Sequence, residues 1–423
     1  MINAPKGVED ILPPKSEAYS LIEKEATFFF SLYGYRQIRI PTFEKTELFL
    51  RSVGEETDVG KQMYTFKDKR GRSISLRPEG TAGVVRAYIE HKIFRKEKLW
   101  KVCYQGPMFR YERPQAGRLR EFYQIGVECF GEENPWIDVE ILEMAFFFLK
   151  RLGLNAPQIN LNSIGCKDCR KDYIIKLKSY LEKNINFLCD TCKRRFYFNP
   201  LRILDCKNEK CNVILKKAPT IENFLCSSCK EHFEAVKEKL SSLDIPFVVD
   251  PYLVRGLDYY TRTIFEIKSS YLGSQDTICA GGRYDNLIEE LGGPSIPAMG
   301  FAIGVERLFL VLQRVNAKIF PPAPPCILVI PFGKGCTEKG ILIARSLRSQ
   351  GIQVRMDFDE KRSLSSRLRR ASKKNFPWVL IIGEEELKQK RYILKNMRSG
   401  DQEYLQEEQL ENIKSHLKGE SKV

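Results

Sequence analysis

The chain has 423 residues, 43% hydrophobic and 29% charged, with a formal net charge of +15. That length exceeds one ordinary core and suits two or three domains of a folded soluble protein, and the charge favours a polyanionic partner, nucleic acid or a phosphate-rich substrate. Its apolar runs are too short to span a bilayer, and residues 1–15 carry prolines and charges rather than the apolar run of a secretory signal, so no membrane association and a cytoplasmic location are expected.

Residues 16–32 carry apolar side chains at helical spacing and predict a helix stopped by Gly34. Residues 35–40 alternate as a half-buried strand does, up to Pro41. Strands are also expected over 99–104 and 121–130, and an apolar helix over 140–152 closed by Gly153. From about 162 to 244 lysine and cysteine rise, which marks an inserted module. Strand patterns resume at 247–249, 263–267 and 277–280. A glycine-rich segment (281–304) and an apolar helix (305–314) follow. A sheet interrupted by an insertion and then completed fits an α+β domain. Pro321, Pro322, Pro324 and Pro325 mark a linker. Beyond it, strands at 326–332, 352–356 and 378–383 alternate with helices at 337–349 and 364–374, and a polar helix closes the chain over 406–417. That pattern predicts a small doubly wound domain.

Residues 106–131 read GPMFRYERPQAGRLREFYQIGVECFG and hold four arginines, Arg110, Arg113, Arg118 and Arg120. Guanidinium forks match phosphate oxygens in pairs, and a strand–loop–strand with arginines on both sides can grip a polyphosphate. On its own such a stretch is more often a solvated hairpin. Its company decides otherwise: GYRQIRIP at 34–41, LRPEGTAG at 76–83 and GFAIGVERL at 300–308. LVRGLDYYTRTIFE at 253–266, AGGRYDNLIEELGG at 280–293 and PKGVEDILP at 5–13 agree. In this order the stretches resemble the class II aminoacyl-tRNA synthetases, and among them the histidine-specific family, from residue 5 to about residue 415.

The resemblance implies a class II synthetase catalytic core, an antiparallel sheet, over residues 1–320, carrying the insertion at about 162–244. It further implies a C-terminal α/β anticodon-binding domain over 326–423. The implied reaction activates L-histidine with ATP to histidyl-adenylate and pyrophosphate, then transfers histidine to the 3′ end of tRNA(His). Activation is an in-line attack of a carboxylate on the α-phosphate, where two negative groups must meet, so fixed positive charge is needed there. By resemblance Arg110 meets the α-phosphate and Arg307 the terminal phosphates. Glu112 and Arg118 are also at ATP, and Mg2+ shares the phosphate charge. Arg255 lies between the histidine carboxylate and the α-phosphate, and with Arg110 is the expected catalytic residue. Glu79, Gly80, Thr81 and Gln124 surround the α-ammonium. Glu128 and Tyr260 meet the imidazole, and Tyr259 shapes the pocket. Gln115 and Arg118 are candidates for the tRNA acceptor end. The three histidines, His91, His232 and His416, lie outside these stretches, which leaves a histidine nucleophile unsupported.

The insertion carries four cysteine pairs: Cys166 with Cys169, Cys189 with Cys192, Cys206 with Cys211, and Cys226 with Cys229. Three have a two-residue gap and one a four-residue gap, spacings that let thiolates share a zinc ion. The chain's cysteine count, 13, is odd, which argues against a disulfide framework. Two tetrahedral sites, or one site with spare thiols, are open, and at least one structural Zn2+ is expected. In the last domain the basic run Lys361, Arg362, Arg367, Arg369, Arg370, Lys373 and Lys374 is expected to serve RNA. By the same resemblance, the stretch ending at Pro41 implies a homodimer. The rival reading is a non-catalytic, histidine-sensing regulatory subunit of ATP phosphoribosyltransferase. Such a regulator would need neither Arg110, Arg255 and Arg307 nor the domain beyond the linker. A general RNA-binding module would explain the charge but not the histidine-pocket match.

Overall fold

Side chains alternate between the two sides of a strand, and in the first unit this alternation sorts one sheet into a helix-covered face and a face that bears a cavity. The computed structural model describes residues 2–54, 57–115, 117–272, 276–315, 317 and 326–417. The chain divides into two units, Met1–Pro321 and Pro322–Val423. The linker prolines lie outside the described residues.

Among the described residues of the first unit an eight-stranded sheet has the order Arg36–Gln37, Trp100–Phe109, Glu121–Phe130, Ala298–Gly304, Thr277–Arg283, Thr261–Lys268, Gln158–Ser163, Phe247–Val249. The inner strands pair antiparallel. The two edge strands lie parallel to their neighbours. Cys103, Ile125, Val127, Phe265, Ile267, Phe301 and Ile303 pack beneath the helices Lys15–Leu32, Pro135–Arg151, Ser227–Ser242 and Val305–Arg314. Tyr104 and Ile264 belong to a second core that includes the helix Thr81–Glu90 and much of the insertion.

Two elements differ from expectation for local reasons. The helix expected over 140–152 begins at Pro135, because the Asn134 side chain accepts the Trp136 N–H at 3.1 Å and proline suits a first turn. The strand expected over 35–40 pairs only at Arg36–Gln37.

Between the strands Gln158–Ser163 and Phe247–Val249 the described chain is helical. Its last helix, Ser227–Ser242, sends Phe233, Val236 and Leu240 into the core beneath the sheet. Asp138 fastens it there, meeting His232 Nε2 at 3.0 Å and accepting from Arg283 Nε at 2.9 Å. Arg283 also donates to Asp285 at 3.0 Å and to the Glu132 carbonyl at 3.1 Å. Charges this deeply buried hold their place only because each satisfies another.

In the second unit a five-stranded sheet has the order Gln353–Met356, Cys326–Phe332, Trp378–Gly383, Arg391–Asn396, Gln402–Gln406 among the described residues. The first three strands are parallel, as a doubly wound pattern requires. The last two form an antiparallel hairpin that periodicity missed. The expected closing helix is a 3-10 segment, Glu407–Ser415, broken at Asn412. Two members of the basic run turn inward. Arg367 is fully buried and donates to the Pro331 carbonyl at 2.7 Å, and Arg370 donates to Asp357 at 2.6 Å. Arg369, Lys373 and Lys374 remain exposed. No helix among the described residues is long and apolar enough to cross a membrane.

Candidate active site

A cavity of about 320 Å³ opens on the sheet face opposite the long helices. Because Ile125 and Val127 point to the helices, Phe122 and Gln124 point away from them and line this cavity. The same alternation turns Glu266 toward it, between Phe265 and Ile267.

Five arginines line the cavity, Arg110, Arg118, Arg255 and Arg307 from the sheet and its loops and Arg202 from the insertion. Arg110 Nε donates to the Pro78 carbonyl at 2.9 Å, and its guanidinium lies over the Phe122 ring at 5.1 Å from the centroid. Arg307 Nε donates to the Gly117 carbonyl at 3.2 Å and Nη1 to the Thr277 carbonyl at 3.0 Å. Gly117 holds a left-handed φ of +70°, and a β-carbon there would press on the Arg307 stem at 3.0 Å. Burial, with Arg118 adding repulsion, pushes the Arg307 pKa down to about 10. Burial also lowers that of Arg110. These cations are under-compensated, and a polyanion in the cavity would relieve them. Arg118 meets Glu112 at 3.4 Å, and Arg255 pairs with Glu266.

Two polar atoms on this wall are buried without a hydrogen-bond partner, the Gln124 Oε1 acceptor and the Arg255 Nε donor. Buried polar atoms are rarely left so, which makes them candidates for a ligand's donor and acceptor. Glu79 also faces the cavity, while its carboxylate accepts the N–H groups of Thr81 (2.6 Å) and Ala82 (2.9 Å) at the start of the helix Thr81–Glu90. Gly80 lies under the Tyr104 ring, which would collide with any β-carbon there.

Glu128 sits beneath the cavity wall rather than on it. It accepts from Thr81 Oγ1 at 2.6 Å and from the Tyr284 hydroxyl. Burial raises its pKa to about 8, although both hydroxyls oppose the rise. Gly300, its partner across the sheet, leaves no room for a β-carbon beside the carboxylate. Tyr259 and Tyr260 line the cavity with ring centroids 4.7 Å apart, and Tyr259 meets Tyr284 edge-on at 5.6 Å. Gln115 is exposed at the loop tip, bridged to Arg118 and off the cavity wall.

The structure thus gathers Glu79, Thr81, Arg110, Glu112, Arg118, Gln124, Arg255, Tyr259, Tyr260 and Arg307 around one space. Sequence reading missed Tyr104, Phe122, Glu266, Tyr284 and Glu306, which share it. For the strand residues the signal was present in the period-two alternation, which exposes one face as a set. Arg202, Asp205 and Lys207 of the insertion also line the cavity, and nothing local announces them.

The cysteines form two groups, each with all Sγ atoms within 4.8 Å of one another: Cys166, Cys169, Cys226 and Cys229, and Cys189, Cys192, Cys206 and Cys211. The first and last pairs in sequence therefore meet, as do the middle two. Among the described residues these are the groups whose ligand atoms lie close enough to share an ion, and no carboxylate cluster at the cavity does so.

Comparisons agree with the geometry. The family model for histidyl-tRNA synthetase matches residues 7–168 and 192–308, and that for an anticodon binding domain matches 327–416. A histidine–tRNA ligase from Halothermothrix orenii is 49% identical over 402 residues, 95% of this chain and 96% of that protein. The crystal structure of apo S. aureus histidyl-tRNA synthetase superposes with a TM-score of 0.80 at 37% identity, covering 97% of this chain and 99% of that one. An ATP phosphoribosyltransferase regulatory subunit/histidyl-tRNA synthetase from Bacillus halodurans C shares the fold, with a TM-score of 0.66, 22% identity and coverage of 90% and 98%. With its arginine-lined cavity and this extent of likeness, the chain belongs to the histidyl-tRNA synthetase family.

Proposed function

We infer that the chain is an ATP-dependent histidine–tRNA ligase, which joins histidine to AMP with release of pyrophosphate and then esterifies the 3′ end of tRNA(His). The pair of unmet atoms carries this reading. An acceptor at Gln124 and a donor at Arg255 on one cavity suit the ammonium and carboxylate of an amino acid. Arg110, Arg118 and Arg307 beside them suit a triphosphate. Arg255 stands where the carboxylate attacks the α-phosphate, and its guanidinium stabilises the charge that develops there. Positioning and fixed charge supply the rate, with no covalent side-chain intermediate.

Glu79 and Thr81 complete the ammonium subsite. Glu128, through Thr81 and Tyr284, sets the polarity of the imidazole end, with Tyr259 and Tyr260 flanking it. Mg2+ travels with the phosphates, and Glu112 and Glu266 are among the carboxylates on the wall that suit its support. The four-cysteine groups suit structural Zn2+. The exposed Arg369, Lys373 and Lys374 suit the anticodon end of the tRNA, and Gln115 with Arg118 its acceptor end. Free thiols in such groups suit the reducing cytoplasm.

Histidine-dependent exchange of labelled pyrophosphate into ATP tests the reading, with other amino acids as controls. Exchange with histidine alone is expected. A folded protein that binds histidine but exchanges nothing would return the regulatory-subunit reading, which otherwise leaves the arginine set without a purpose. A twofold dimer near Pro41 is also proposed, supported by the exposed Phe28, Leu32, Phe43 and Phe66. Light scattering should then give twice the 49.0 kDa chain mass, and a monomer at assay concentration would remove it.

A further inference from the structure

The second cysteine group stands close to the cavity. Cys189 and Cys192 flank the start of the helix Asp190–Phe198, and Cys206 follows the 3-10 turn Pro200–Ile203. Between those ligands the chain reaches the cavity: Arg202, Asp205 and Lys207 are all on its wall. Cys206 is therefore flanked on both sides by cavity residues. Arg202 Nη1 meets Asp205 at 3.3 Å, and Lys207 Nζ meets it at 3.2 Å, so one carboxylate gathers two cations at the mouth. Asn199 Nδ2 donates to Asp258 at 2.9 Å, which ties the same segment to the loop carrying Arg255, Tyr259 and Tyr260.

The sulfur geometry is that of a closed metal site. Cys189 and Cys206 Sγ are 3.9 Å apart, well beyond a disulfide, which needs about 2 Å. A tetrahedral zinc with Zn–S bonds of about 2.3 Å sets its sulfurs about 3.8 Å apart. The Cys189 N–H donates to Cys211 Sγ at 3.2 Å and the Asn208 N–H to Cys206 Sγ at 3.5 Å, contacts that suit anionic thiolates. Four thiolates fill a tetrahedral zinc and suit a structural ion, and two of them, Cys192 and Cys211, have no exposure at all. The other group is built alike but placed differently. Cys166 and Cys226 precede the helices Lys167–Lys183 and Ser227–Ser242, so it clamps the base of the insertion.

We propose that zinc held by Cys189, Cys192, Cys206 and Cys211 fixes residues 199–207 as a cationic lip on the substrate cavity, so that loading of this site governs the hold on a substrate phosphate. The proposal rests on reading the cavity as the site of ATP and of the tRNA 3′ end. The lip's charge serves that phosphate, and the ion serves the lip by fixing its path. The ion itself touches no substrate.

The test counts metal and kinetics together. The purified protein should hold two zinc ions per chain by mass spectrometry of the metal, and its Co2+-substituted form should show sulfur-to-metal charge-transfer bands. The variant C189S/C211S should keep one zinc ion, lose amide protection across residues 189–211, and raise the KM for ATP in pyrophosphate exchange by about tenfold, the weight of one contact to a charged group. K207A should keep both zinc ions and full amide protection and show a comparable rise. If K207A instead raises only the KM for tRNA in aminoacylation, the phosphate served is that of the tRNA 3′ end and the lip stands. A chain that binds no metal at this group overturns the proposal. So does K207A with both KM values unchanged, a result that remains readable if C189S/C211S fails to fold. Two zinc ions in a protein with no exchange activity at all would instead sink the reading of the cavity.

Discussion

Replacing Arg255 with alanine is expected to lower histidine-dependent pyrophosphate exchange on the order of 10³-fold, the scale of a fixed arginine lost at a reacting phosphate. Histidine affinity should fall far less, because Gln124, Glu79 and Thr81, the proposed ammonium partners, still line the cavity. The variant should fold. Its former partner Glu266 still accepts from Thr277 Oγ1 at 3.0 Å and lies 3.8 Å from Lys268 Nζ, so no carboxylate is stranded. R255K should recover only part of the loss, since an ammonium cannot span two acceptors as the guanidinium fork does. Exchange rates set beside histidine binding by calorimetry decide the matter. Equal losses in both would reduce Arg255 to a binding residue.

The second large effect lies under the imidazole end. Glu128 is raised from 4.5 to about 8, chiefly by burial. A folded pKa above the unfolded one means that the protonated form is favoured on folding. Its contribution to stability is complete below about 4.5 and is lost as pH rises through about 8. E128Q cannot ionise and escapes that loss. The variant should therefore unfold at a higher denaturant concentration than the parent, with the gap widening from about pH 4.5 and levelling off above about pH 8 at on the order of 5 kcal/mol. Glu306, raised to about 7, is present in both proteins and cancels from the difference. Function should move the other way. Above about pH 8, where Glu128 is ionised, an amide donor replaces one of the acceptors that orient Thr81 and Tyr284, and the KM for histidine should rise about tenfold or more. Parallel stability-against-pH curves for the two proteins would show that Glu128 is already ionised when folded.

Periodicity located most of the sheet that carries the site, and it failed where the cause was not periodic. Asn134 started a helix early through a side-chain cap, and a hairpin after Gly383 escaped because its short strands, Arg391–Asn396 and Gln402–Gln406, mix polar and apolar residues without a clear alternation. Arg367 and Arg370 looked like RNA-facing charge through the resemblance to an anticodon-binding domain. Their inward turn depends on acceptors at Pro331 and Asp357, supplied by other elements of the unit.

Short stretches of sequence already carried the candidate chemistry, because guanidinium forks and a tyrosine pair are properties of a few adjacent residues. Tertiary structure alone decided that Glu128 lies under Thr81 and Tyr284, that the outer cysteine pairs meet across the insertion, and that Lys207 stands beside the arginines. Those contacts join residues far apart in sequence, and which of them form depends on the path of the whole chain, which local spacing does not encode.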